Sequence, residues 1–317
     1  MWRNGIEGVE EREKRKYRME HLTVRGLTKY YGDLCAVNGI SFRLERGRIT
    51  ALCGKNGSGK STSIRCLLGI LQADQGKIEA DGGEWKRDFS QIGYLPEERG
   101  LFLKENIYTQ LLFLAKLKGV EKEEAKKAAD YWLERFGISE YKNKTLENLS
   151  KGNQQKIQMI AALIHSPQLL ILDEPFSGLD PVNMQLFLEV LQELKKKEIC
   201  ILISSHQLGL IEGVCEDICI IDKGNALFSG SIFELQKRYA RDYIYFTTQK
   251  ESISLPEAEK CGPYEYRIFL EKKEDFREKL DQILDREPDI EDIGRRKMSL
   301  QETFISLVGE AGQEVTK

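Results

Sequence analysis

Gly54, Lys55, Asn56, Gly57, Ser58, Gly59, Lys60 and Ser61 satisfy the pattern GxxxxGK followed by Ser or Thr. They stand between the apolar run Ile49 to Cys53 and the helical period Ser61 to Leu71. A strand, a glycine-rich loop and a helix in that order leave few folds open. The residue types follow from what such a loop can hold. Glycines let successive backbone N–H groups converge on phosphate oxygens, and the helix behind them points its positive end the same way. Lys60 would reach the β and γ phosphates of a bound nucleotide. Ser61 offers a small hydroxyl to Mg²⁺, and Thr62 adds one near the α phosphate.

Composition narrows the setting. The 317 residues carry 48 Lys and Arg against 51 Asp and Glu, a formal charge of −3, with 41% hydrophobic residues. That excludes a chain disordered throughout, and it argues against a general nucleic-acid binder, which carries a strongly basic face; no nucleic-acid partner is expected. The length suits one large domain and a smaller one. No apolar run approaches the ~20 residues of a membrane-spanning helix, since Leu169 to Leu172 and Ile199 to Ile203 are strand-sized. Seven Cys without a CxxC pair, several inside apolar runs, suit reduced core thiols in a cytosolic protein.

Residues 1–18 are dense in charge, with no apolar period and no secretion signal. They are expected to be a disordered tail, with Met19 as the native start. From Leu22 to about Ser231, β-branched or Leu-rich runs alternate with helical periods, which implies a largely parallel α/β sheet. Within it, residues 105–150 are expected to form an all-helical insert. Ile107 to Lys118 makes one helix, and Ala125, Ala128, Ala129, Trp132, Leu133 and Phe136 mark the apolar stripe of a second. After about Phe233 come short strands, Tyr243 to Thr248 and Tyr264 to Leu270, and two helices. The last of these opens on Ser299 and Glu302, a capping-box spacing. The expected domains are therefore 19–235 and a small α+β domain over 236–317.

Leu169 to Leu172 deliver Asp173 at the C-terminal edge of a buried strand, where ligands sit in open α/β sheets. Asp173 would hold Mg²⁺ through water. Glu174 would project from a different side, toward the γ phosphate, to orient or deprotonate an attacking water. A surface turn at a strand end is the alternative for such a pair. His206, one of three His with His21 and His165, ends another apolar run, and His165 is expected to cap the helix before it. Ser150 and Gly152 open the helical run Asn153 to His165, placing donors at a positive helix end.

Taken together, LSKGNQQ from Leu149 to Gln155, LLILDEP from Leu169 to Pro175, SGLD from Ser177 to Asp180, and Ser204, Ser205 and His206 resemble the ATP-binding-cassette (ABC) ATPases. They look like that family's signature, Walker B strand, D-loop and switch histidine, and the likeness is strong over 22–235 and weak over 236–317. It implies a P-loop NTPase fold with a RecA-like α/β core, an antiparallel β subdomain and a helical subdomain. It also implies ATP and Mg²⁺ as ligands. Catalysis would fall to Glu174, His206 and Lys60, and the metal to Ser61, Asp173 and Glu97. The nucleotide would meet residues 54–62, Tyr31 as the aromatic that stacks on adenine (Tyr30 being the competitor), and Val37 as apolar packing beside it. Ser150, Gly152 and Asp180 would close over a nucleotide held by a second copy, in a homodimer or heterodimer.

The sequence departs from the family pattern at Glu97, where a Gln is usual, and at Lys151 and Asn153 in the signature. Glu97 can still offer an oxygen to a metal but lacks the amide donor. The runs YLPEE, LSKGNQQ and LQETFISLVG resemble exporters whose ATPase is a separate chain from its membrane permease. The expected protein is thus the ATPase subunit of such a system, cytoplasmic and held on the inner face of the membrane by the permease. The competing expectations are a soluble ABC ATPase acting on ribosomes or nucleic acid, and a regulatory scaffold that binds ATP without turnover.

Overall fold

The computed structural model describes residues 19–98, 100–271, 275–287 and 289–314; the tail expected at 1–18 lies outside them. The chain divides into two compact units, the first ending at Ser231 and the second starting at Ile232. In chain order the first contains β1 (His21–Tyr31), β2 (Leu34–Glu45), β3 (Ile49–Cys53), α1 (Lys60–Leu67), β4 (Gln75–Ala80), β5 (Gly83–Glu84) and β6 (Ile92–Leu95). It continues with α2 (Ile107–Leu117), α3 (Lys122–Arg135), α4 (Lys151–Leu163), β7 (Leu169–Asp173) and α5 (Pro181–Lys196). It closes with β8 (Cys200–Ser205), α6 (Leu208–Glu212), β9 (Asp217–Asp222) and β10 (Asn225–Ser231).

Every residue of β3, β7 and β8 is buried. Strands without an exposed face need partners on both edges and cover on both sides, and a parallel sheet between helices supplies both. The ten strands run β5-β4-β1-β2-β10-β9-β3-β8-β7-β6, and β9, β3, β8, β7 and β6 are parallel neighbours. On the other side β1 pairs antiparallel with β2 and β4. The register sets Cys53 opposite Ser205 and Asp173 opposite Ser204, so three strands end level at one edge. The phosphate loop leaves from that edge. This is the P-loop NTPase architecture, with a helical lobe of α2 and α3 inserted after β6.

Of the lobe's expected apolar stripe, Ala125, Ala129, Trp132, Leu133 and Phe136 are buried, and Ala128, at its edge, is half-buried. Phe136 meets Phe187 of α5 edge-on, with ring centroids 5.6 Å apart, and Arg135 donates to Glu193 on the same helix. The lobe is therefore packed onto the cassette.

The second unit holds α7 (Ile232–Tyr239), β11 (Asp242–Thr248), β12 (Glu259–Lys260), β13 (Glu265–Phe269), α8 (Asp275–Arg286), β14 (Ile290–Lys297) and α9 (Leu300–Glu314). Its antiparallel sheet runs β12-β13-β11-β14, with Ile244, Phe246, Tyr266, Ile268 and Ile283 in its core. α9 opens on a reciprocal capping box: Glu302 N donates to Ser299 Oγ at 3.2 Å, and Ser299 N donates to Glu302 Oε2 at 2.8 Å.

His165 does not cap its own helix. α4 ends at Leu163, and the His165 ring turns to β6, where Nε2 donates to the Ile92 carbonyl at 3.0 Å. Nδ1 is buried without a partner among the described residues. Adding a proton there would bury an unpaired donor. Burial accordingly pushes the His165 pKa down to about 4, against the pull of the Ile92 carbonyl and aided by Lys118. Because this value lies below the ordinary ~6.5, the contribution to stability is full above about pH 6.5 and is lost as pH falls toward 4. His165→Gln keeps a donor for Ile92 but cannot titrate, and should flatten the fall in Tm over that window. An acid limb of unchanged slope would assign it to other groups.

Candidate nucleotide site

The loop after β3 is shaped by glycines at two positions where nothing larger fits. Gly59 has φ 111°, and a Cβ there would lie 2.6 Å from the Ala36 carbonyl oxygen. At Gly54 a Cβ would lie 2.2 Å from the Ile221 carbonyl oxygen. The loop is anchored from below, since Gly224 N donates to Ser58 O at 2.9 Å and Asn38 N to Gly224 O at 2.8 Å. Above it is a cavity of about 360 Å³, walled by Ala36, Asn56, Gly57, Gly59, Lys60, Ser61, Thr62, Glu97 and Glu174. Lys55 is exposed at the rim, while Gly54 and Ser58 are buried beneath.

The Lys60 side chain is only 6% exposed. Its Nζ donates to the carbonyls of Gly54 at 2.9 Å and Lys55 at 3.3 Å, and stands 3.3 Å from Glu174 Oε1. The other carboxylate oxygen, Glu174 Oε2, is 2.9 Å from His206 Nδ1, whose ring is partly exposed. One carboxylate therefore links the loop's lysine to the histidine after β8. Glu174 reaches both because its backbone turns left-handed, φ 50°, immediately after β7, a conformation that costs a side-chain-bearing residue about 1–2 kcal/mol.

Ser61 Oγ donates to Asp173 Oδ1 at 3.2 Å. Ser204 donates its hydroxyl to the same oxygen, and accepts from the Glu174 N–H at 2.9 Å. Tyr94 lies on the neighbouring strand, and burial, followed by the Asp173 charge, pushes its phenol up to about 12, so it stays neutral. These carboxylates and hydroxyls are hard oxygen donors, which suit Mg²⁺.

The structure thus brings Lys60, Ser61, Thr62, Asp173, Glu174, His206 and the exposed Glu97 to one sheet edge. Val37 is fully buried, and its neighbour Ala36 takes the cavity wall. Tyr31 is exposed at the β1–β2 turn, beside Tyr30, whose N–H is held by Asp74 at 2.7 Å.

Ser150, Gly152 and Asp180 do not line this cavity; they form a second cluster. Ser150 caps α4 by accepting from Asn153 N at 3.3 Å, and Asp180 caps α5 by accepting from Asn183 N at 2.9 Å. The Asn183 amide N–H holds the Asp180 carboxyl below its usual range. The Asn183 side chain reaches across to Gly152, where a Cβ would lie 3.0 Å from Nδ2. Ala36, Asn183 and the double role of Ser204 escaped the sequence reading. The two serines, Ser204 and Ser205, that close the otherwise apolar run before His206 were the available signal.

Comparison with known proteins decides the family. The family model described as ABC transporter matches residues 37–177. The chain is 46% identical over 224 residues, 70% of its length, to YhaQ of Bacillus subtilis, an uncharacterized ABC transporter ATP-binding protein of which it covers 75%. It belongs to the ABC transporter family, as an ATP-binding subunit. A second relative of this cassette is the linearmycin resistance ATP-binding protein LnrL of Bacillus subtilis, 35% identical over 227 residues, 70% of this chain and 73% of LnrL. Among solved structures, cbiO1 from Clostridium perfringens, part of the ABC transporter complex cbiONQ, aligns with a TM-score of 0.61 at 29% identity. That alignment covers 70% of this chain and 92% of cbiO1.

Gly59→Ala should weaken ATP binding about tenfold or more, since strain at positive φ alone approaches the 1.4 kcal/mol of one decade. Gly213, with open space around it, is the control. Titration of a fluorescent ATP analogue checks this, and equal affinities for the two alanine variants would refute the loop geometry.

Proposed function

We propose that this chain is the ATP-hydrolysing subunit of an ABC export system, working as a dimer around two Mg-ATP and driving a separate permease. The observation that carries hydrolysis is the buried Glu174, held between Lys60 and His206 at the mouth of the phosphate-loop cavity. Lys60 binds the β and γ phosphates. Glu174 orients and deprotonates the attacking water, and His206, already on its other oxygen, contacts the γ phosphate. Ser61, and Asp173 through water, would hold Mg²⁺, with Glu97 adding an oxygen from the wall; the metal would offset charge on the phosphate oxygens. Tyr31 stacks on adenine.

Ser150, Gly152 and Asp180 form a cluster outside the cavity, which supports their use on the nucleotide of a second copy. A separate permease is supported by the helices themselves: none among the described residues is long and apolar enough to cross a membrane. The subunit would then sit in the cytoplasm, on the inner face of the membrane, and the helical lobe with the loop from Glu97 to Lys104 would receive the permease. Outward transport is supported by LnrL, a resistance protein by name.

Glu174→Gln should slow hydrolysis by roughly 10²-fold to 10⁴-fold, the share of a positioned base, while ATP still binds. Phosphate release at the wild-type rate would remove Glu174 from that role. Ser150→Arg should abolish ATP-dependent dimers in sizing chromatography without emptying the Lys60 pocket; dimers that persist would displace the signature from the interface.

A further inference from the structure

Ser204 is completely buried, at 0% exposure, where the strand turns from the apolar run Cys200, Ile201, Leu202 and Ile203 to its last two residues, Ser204 and Ser205. Packing alone asks for another apolar side chain there, since a buried hydroxyl is costly unless it is hydrogen-bonded. It is bonded in both senses. Its proton goes to Asp173 Oδ1, and its oxygen accepts the Glu174 N–H at 2.9 Å. The register of β7 and β8, which sets Asp173 opposite Ser204, makes this possible.

We propose that Ser204 is a positioning residue, holding the metal-side carboxylate of Asp173 and the backbone turn at Glu174 in one geometry through a single hydroxyl. This rests on the ATPase reading above. Ser61 and Ser204 both donate to Asp173 Oδ1. If Ser61 is given over to Mg²⁺, Ser204 is the donor that keeps Asp173 in its rotamer. At Glu174 the hydroxyl reinforces a weaker bond, because the same N–H also lies 3.2 Å from the Ser204 carbonyl oxygen. That contact falls at the left-handed residue, φ 50°, where the chain must turn for its carboxylate to reach Lys60 and His206. The larger effect of Ser204 is therefore on Asp173, and the smaller on Glu174.

The test compares ATP affinity in Mg²⁺ and in EDTA, by titration of the full chain with a fluorescent ATP analogue. Ser204→Ala should cut the affinity gained from Mg²⁺ about tenfold, leave the affinity in EDTA unchanged, and lower kcat. Ser204→Cys keeps nearly the same volume but bonds weakly, and should lose the gain as well. This also covers an alanine variant that does not fold, which a thermal melt would reveal. If both variants keep the full gain, or if Cys keeps it where Ala does not, the hydroxyl is not the positioning group and the proposal is overturned. Lys60→Ala separates the two levels. Should it abolish ATP binding while Ser204→Ala changes nothing, only the Ser204 role fails. Should the wild-type chain bind no ATP, both readings fail.

Discussion

The cassette is organised around one buried ammonium. Lys60 sits almost without solvent at the mouth of a helix, and a charge in that position has to be matched by nearby acceptors. Two backbone carbonyls of its own loop and one oxygen of Glu174 provide the match. A triphosphate would bring more negative charge to the same ammonium than one carboxylate does. Under the proposed function, binding it would favour an exchange in which Lys60 moves to phosphate and Glu174 is released toward water. The glycines at 54 and 59 serve that exchange by letting the loop pass close to its neighbours. The level ends of β3, β7 and β8 bring the carboxylates within reach of it.

The proposed exchange would also account for the strain at Glu174. A residue continuing the extended path of β7 would carry its side chain away from the loop. The left-handed turn redirects it, and the surrounding contacts hold the turn: Ser204 on the amide, Lys60 and His206 on the carboxylate. Their combined bonding outweighs a penalty of about 1–2 kcal/mol.

What was legible in the sequence was local. The phosphate loop, the helical stripe from Ala125 to Phe136 and the capping box at Ser299 are written in spacings of a few residues, and each formed, although the helix after the loop ends at Leu67, short of the expected Leu71, and Ala128 is only half-buried. What was not legible depends on register. Ser204 meets Asp173 across 31 residues, and no short pattern announces that pairing. On β2 the choice between Ala36 and Val37 as cavity wall turns on which face each residue takes, and the irregularities that interrupt β1 pairing near Lys29 and Val37 hide the alternation that would decide it. β14, with the sequence IEDIGRRK, carries the polar, glycine-interrupted composition of an edge strand and so lacks the apolar run by which β11 and β13 announce themselves.

The two clusters differ in how their hydrogen-bonding capacity is used, which bears on why one chain would need another. In the phosphate-loop site Lys60 donates to two loop carbonyls and Asp173 accepts from two hydroxyls, while Glu174 Oε1 is paired with Lys60 by charge without a hydrogen bond. At the start of α4 the matching is one-sided. Ser150 uses its oxygen to accept from Asn153 N, so its hydroxyl proton is still available to donate, and the first N–H groups of a helix have no intrahelical acceptor. Asn183 donates to both carboxylate oxygens of Asp180, through its backbone N–H and its side-chain amide, which ties that carboxylate to its own helix. Donors left over at a positive helix end call for an anion, and the cavity that would hold the triphosphate is walled by other residues of the same chain. In the proposed dimer, a second copy presenting its own nucleotide to that end would supply the missing acceptor to both protomers at once.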